Sequence, residues 1–214
     1  MPHDSIVSLK KLVAEGEGWK LEFKRKAAHP EKIVREMIAF ANTQGGTLLI
    51  GVDDDGSLPG VKFPREEIHV IQEALIKYVR PALRFSETTV AVSGTHVVVR
   101  LEIPISDKRP HYFKQSPAEQ ESYVRHKDMS VKASAEMCEI IRRKRLNKDI
   151  RFNFGEPEKA LMVYLEQHGT ITLAGFRKLA KLNRFQAARK LILLVLGDVL
   201  TITPTEKGDL YSRR

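Results

Sequence analysis

A single cysteine, Cys138, in 214 residues excludes an intramolecular disulfide and fits a reducing compartment. The seven histidines have no paired spacing of the kind that builds a zinc site, so structural zinc is not expected. No apolar run approaches the length needed to span a bilayer, and the start, MPHDSIVSLKKLVAEG, lacks the basic, apolar and small-residue order of a signal peptide. Together these absences predict a cytoplasmic location. There is no P-loop for ATP, no long internal repeat and no low-complexity segment. An apolar fraction of 42% and a charged fraction of 29% belong to an ordinary globular chain, long enough for one large or two modest domains.

Negative charge is in short supply. Lys and Arg number 36 against 27 for Asp and Glu, a net charge of +9 and a pI near 9.6. Such a balance favours polyanionic partners through counterion release. The densest cluster, RRKRLNKDIR at residues 142–151, brings Arg142, Arg143, Lys144 and Arg145 together, either as a solvated helix end or as a nucleic-acid contact.

The periodicity changes along the chain. WKLEFK at 19–24 alternates strictly, predicting a half-buried strand with Trp19, Leu21 and Phe23 inward and Glu22 on the wet face. A helix follows, with Pro30 in its first turn and Ile33, Val34, Met37, Ile38 and Ala41 forming an apolar stripe, stopped by Gly45 and Gly46. Next come a buried strand TLLIGV, a turn, a helix over about 66–79, two strands near 84–92 and 96–103 joined by SGT, a short strand in ESYVRH and a helix in SAEMCEIIRRKRL. The class is α+β, without the strict alternation of a doubly wound sheet. Charge, Gly and Pro interrupt the pattern at NKDIRFNFGEPE, which puts a boundary near residue 150 between domains at 1–150 and 151–214. The second has three helices, the last capped by Asn183, then a hairpin around TEKGD, the order of a winged helix-turn-helix.

FANTQGGTLLIGVDDDG, residues 40–56, holds the most suggestive residues of the first domain. A glycine-rich phosphate cradle follows a strand and opens a helix; here the glycines follow a helix, so they serve better as its left-handed cap. The aspartates are no EF-hand loop, because the required glycine and glutamate positions hold Leu58 and Pro64. A turn is the simplest use of Asp54, Asp55 and Gly56.

Taken together, EGWKLEFK, IAFANTQGGTLLIGVDDDG, PHYF and YVR resemble the Schlafen-type AlbA-like domain over about residues 12–145. The resemblance implies a mixed AlbA-like or Schlafen-core fold and binding to DNA. His126 and Lys127 after YVR depart from the pattern, where a glycine is frequent, and the Cys and His zinc ligands of the animal proteins are missing. Some members of the broader family cleave RNA with two glutamates five residues apart and a later aspartate. By that resemblance Glu17, Glu22 and Asp53 become a candidate catalytic trio, which would need Mg²⁺ or Mn²⁺ to position water and neutralise the scissile phosphate. The simpler assignment is that Glu22 pairs with Lys20, Lys24 or Arg25 and that Asp53 begins the turn.

In the third helix of the second domain, Phe185, Ala188, Leu191, Ile192 and Val195 can form a buried stripe, leaving Arg184, Gln186, Arg189 and Lys190 for base edges and phosphates. Lys207 at the hairpin tip would reach an adjacent groove or the backbone, and Arg177, Lys178 and Lys181 on the preceding segment would serve as phosphate contacts. The apolar run LILLVLG exceeds one stripe and leaves material for a homodimer contact. The leading expectation is a duplex-DNA-binding transcriptional regulator. The alternatives are a metal-dependent nuclease and a protein-interaction adaptor without nucleic-acid affinity.

Overall fold

The computed structural model describes residues 5–116, 119–146 and 153–214. Its Cα packing divides the chain into two compact units, 1–130 and 131–214. The boundary expected near residue 150 lies outside the described residues. Packing divides the chain earlier because the helix at 135–146 packs on a helix of the second unit.

The first unit contains α1 (Ile6–Val13), β1 (Leu21–Lys24), α2 (Pro30–Asn42), β2 (Gly46–Ile50), α3 (Pro64–Tyr78), β3 (Val79–Arg80), β4 (Ser86–Ser93), β5 (His96–Ile103), β6 (Tyr112–Lys114), β7 (Gln120–Glu121) and β8 (Tyr123–His126). β9 (Met129–Lys132) pairs with β8 at the division. The main sheet has the order β1-β2-β5-β4, with β1 and β2 parallel across α2 and the other neighbours antiparallel. β5, the valine-rich strand, is therefore interior.

Both faces of this sheet are covered. Leu48, Ile50, Val99, Leu101 and Ile103 pack with α2 and α3, while Leu21, Phe23, Leu49, Val90 and Val98 pack with Leu9 and Val13 of α1. Each fully buried large aliphatic or aromatic side chain contributes roughly 1.5–3 kcal/mol. Glu22 lies opposite Leu48 in register and so belongs to the face under α2. Its expected place on a wet face is corrected: it is 7% exposed, because a strand covered on both faces has no solvent side. Trp19, expected inward, precedes β1 and is 45% exposed.

The glycines of FANTQGG end α2 as anticipated. Gly45 has φ +72° and donates its N–H to the Phe40 carbonyl at 2.8 Å. A Cβ on Gly46 would stand 2.3 Å from the Phe40 ring, so this position has no room for a side chain. Asp53 to Ser57 form a turn, with the Asp53 amide donating to the Ser57 carbonyl at 3.0 Å and the Ser57 amide to Asp55 Oδ1 at 2.8 Å.

Asn42, 3% exposed at the end of α2, joins distant segments. Its Nδ2 donates to the carbonyls of His111 (3.2 Å) and Tyr123 (2.9 Å) and to Ser122 Oγ (3.0 Å), and its Oδ1 accepts from the His111 amide (2.7 Å). The His111 ring continues the network to the Pro81 carbonyl and Ser106 Oγ, and burial holds its pKa below the ordinary value.

The second unit contains α4 (Ala135–Leu146), α5 (Glu156–His168), β10 (Thr170–Ile171), α6 (Leu173–Leu179), α7 (Arg184–Leu196), β11 (Leu200–Thr203) and β12 (Leu210–Arg213). β12 lies between β10 and β11 in a three-stranded antiparallel sheet. Thr172 and Asn183 cap α6 and α7, accepting from the amides of Gly175 and Gln186. Leu161, Leu165, Phe176, Leu191, Val195, Leu200 and Tyr211 form the core, and Ile140 of α4 joins it. Leu194 and Leu196 are buried too, so the apolar excess of LILLVLG is used within the unit. No helix among the described residues is long and apolar enough to cross a membrane.

Replacing Asn42 with Asp removes three donated hydrogen bonds and sets a carboxylate against two carbonyls. The expected loss is about 2–4 kcal/mol of unfolding free energy, read as a lower urea midpoint at unchanged slope.

Candidate nucleic-acid interface

In the first unit the charged residues of the sequence motifs converge on a buried guanidinium. Arg125, the arginine of YVR, has a side chain 1% exposed. It donates from Nε and Nη2 to the Gly18 carbonyl at 3.0 and 2.9 Å, from Nη2 to Glu22 Oε2 at 2.5 Å and from Nη1 to Ser130 Oγ at 3.2 Å. Its guanidinium carbon lies 4.9 Å from the Phe40 ring centroid, and its amide donates to Thr43 Oγ1 at 2.9 Å. Lys24 pairs with Glu22 and, at 3.3 Å, with Glu36. Burial, with the negative charge of Glu22 next in importance, pushes the Glu36 carboxyl from an ordinary 4.5 up to about 7.

The members of the carboxylate trio have separate partners in this arrangement. Glu17 is exposed and its Oε1 accepts the Phe23 amide at 2.8 Å; Glu22 is held by Arg125 and Lys24; Asp53 faces Arg25 at 3.6 Å. The three do not fit a shared Mg²⁺ or Mn²⁺: among the described residues no group of three or more His, Cys, Asp or Glu side chains is placed to hold a metal ion. Of the partners expected for Glu22, Lys24 is used and Arg125, 103 positions away in sequence, is added. Neighbour spacing could not signal so remote a partner.

The candidate contact residues of the second unit fall into two sets. Arg184 Nη2 donates to Glu136 Oε1 at 3.1 Å. Gln186 closes a capping box, its Oε1 accepting from the Asn183 amide at 3.2 Å. Lys190 is partly buried and donates to Glu158 Oε1 at 2.5 Å. Burial pushes the Glu158 carboxyl up, but Lys190 and the Gly155 amide outweigh it and hold its pKa below the ordinary value. Arg142 and Arg143 both pair with Glu139, at 2.7 and 2.5 Å.

Arg189, Arg177, Lys178, Lys181, Lys207, Lys144 and Arg145 form the second set, exposed and without an ion pair among the described residues. Lys181 adopts φ +52° in the turn from α6 to α7, where the Leu182 amide donates to the Arg177 carbonyl at 3.0 Å. Lys207 lies in the turn between β11 and β12. The inward placement expected for Phe185 is corrected. It is 75% exposed, because Ala187 and Ala188 turn the inward side of the first helical turn past it. Arg189 lies one turn further along, on the same side as Phe185.

Motifs scattered from Glu17 to Arg125 thus close one α+β core, and this defines a protein class by fold. The chain belongs to the Schlafen, AlbA_2 family, which it matches over residues 17–134. No curated protein matches it. Among solved structures it is similar to the N-terminal domain of a RecG-related protein from Nitrosomonas europaea, at 25% identity and TM-score 0.44, covering 55% of this chain and 84% of that one. It is also similar to the DIP2311 protein from Corynebacterium diphtheriae, at 15% identity and TM-score 0.48, covering 96% of this chain but 38% of that one.

Two outcomes test this electrostatic assignment. Glu36 binds its proton more tightly in the folded chain, so its contribution to stability is full below pH 4.5 and is lost as pH rises through about 7. Chemical unfolding should find Glu36→Gln more stable than the native chain at pH 8, by about 1–3 kcal/mol, with the difference shrinking towards pH 5. Lys190→Met leaves the buried Glu158 unpaired and should lower stability by about 2–4 kcal/mol, whereas Arg189→Met should leave the melting temperature nearly unchanged.

Proposed function

We propose that this protein binds duplex DNA through a winged helix-turn-helix in its second unit and acts as a transcriptional regulator. Membership in the Schlafen, AlbA_2 family and the net charge of +9 support an association with nucleic acid. The observation that carries the reading is the basic set on α6, α7 and the turns beside them, exposed and without an ion pair among the described residues. Arg189 on α7 is exposed and without an ion pair among the described residues, and Arg177, Lys178, Lys181 and Lys207 are its counterparts on the flanking segments.

The element order, α5-β10-α6-α7-β11-β12, suits this use. α7 would be the reading helix, with Arg189 able to donate to guanine edges or phosphate, and Lys207 at the tip of the wing reaching the neighbouring backbone. Arg184, Gln186 and Lys190 are each engaged internally, so their share in binding would require releasing those partners. A two-fold symmetric DNA site would be read by two copies of the chain.

Fluorescence anisotropy with a labelled duplex over a salt series tests the proposal. The doubly substituted Arg177→Glu, Arg189→Glu chain should bind at least about tenfold more weakly, and its salt slope should fall by about 2, roughly 0.9 per lost phosphate contact. Unchanged affinity and slope would remove this surface. Absence of duplex binding even at low salt would favour a protein-interaction adaptor instead.

A further inference from the structure

The two halves of α7 have different surroundings. Ile192 and Leu196 follow Phe185 by about two and three helical turns on the same side of the helix, and both are buried. Cover on that side ends before the first turn, where the Phe185 ring is 75% exposed. The backbone beneath the ring is fixed by the capping box: Asn183 Oδ1 accepts the Gln186 amide at 2.9 Å, and Gln186 Oε1 accepts the Asn183 amide at 3.2 Å. A bulky apolar group is thus held out into solvent from the N-terminal end of an ordered helix.

The charge around that ring is of one sign. No acidic residue stands between Glu166 and Asp198, whereas the same stretch holds Arg177, Lys178, Lys181, Arg184, Arg189 and Lys190. Glu136 and Glu158, which reach α7 from α4 and α5, are buried and paired with Arg184 and Lys190. Arg189 follows Phe185 by one turn, close enough for the two side chains to be neighbours. A second copy of the chain seated on this face would set cations against cations. A polyanion that also presents an apolar group suits it better. The major groove of duplex DNA presents one, the C5-methyl of thymine, between its two rows of phosphates. The N-terminal half of a reading helix is the part that reaches base edges.

We propose that Phe185 reads thymine, its ring packing on the C5-methyl group in the major groove while Arg189 holds a neighbouring guanine edge or phosphate. This assignment rests on α7 being the reading helix and adds the base that its apolar end selects.

The test uses a duplex that the native chain selects from a random library, resynthesised with deoxyuridine in place of thymidine. The replacement removes the methyl groups and leaves the hydrogen bonds of every base pair in place. The native chain should bind the deoxyuridine duplex about fourfold more weakly for each methyl group contacted, and single replacements should place the loss at particular thymines. Phe185→Ser alters an exposed ring, so it should keep the melting temperature and the salt slope of duplex binding, which reports phosphate contacts, yet bind the two duplexes alike. Duplex binding that tolerates deoxyuridine throughout overturns the thymine assignment and leaves the reading helix standing, as does a Phe185→Ser chain that discriminates like the native one. A lower sedimentation coefficient for Phe185→Ser with discrimination retained overturns it as well, and gives the ring to a contact between copies. Absence of duplex binding even at low salt overturns the reading helix and the thymine assignment together.

Discussion

The first unit depends on the burial of one guanidinium. Arg125 reaches back across more than a hundred residues to the lead-in of β1, where it satisfies the Gly18 carbonyl and neutralises Glu22, while the Phe40 ring lies under its face. An arginine this deeply buried is tolerated only when its N–H groups and charge are met, so β1, α2 and β8 must arrive together. That requirement links residues that look unrelated in a linear reading. Glycine at 18, glutamate at 22, phenylalanine at 40, threonine at 43 and the arginine are parts of one polar joint inside an apolar core.

Asn42 plays a similar part a few residues away. Its amide takes up main-chain groups at His111 and at Tyr123 of β8. Two short polar networks therefore fasten the small strands to the sheet and its helices. Glu22 is consumed by the joint, and Glu36, crowded beside it, is left with an elevated affinity for a proton.

The second unit manages its charges differently. Buried carboxylates at Glu136 and Glu158 draw in Arg184 and Lys190, so two of the most conspicuous cations of α7 stabilise the unit. What remains outward is the set around Arg189, and beside it the exposed ring of Phe185. On this division, the proposed contacts to nucleic acid would fall to cations that have no ion pair among the described residues.

The linear pattern alone determined much of this protein. The helical stripe of α2, the glycine stop at Gly45 and Gly46, the hairpin of β4 and β5, the Asn183 cap and the turn at the aspartates are local, set by propensity, periodicity and backbone conformation within a few residues. Tertiary packing decided what local rules could not. It buried Glu22 by covering the second face of its strand, turned Phe185 outward and gave Arg184 and Lys190 to internal carboxylates. It also separated Glu17, Glu22 and Asp53 into different partnerships. The physical reason is common to all these cases: an ionisable group's role is fixed by which charges and how much water surround it, and those neighbours are assembled from positions distant in sequence.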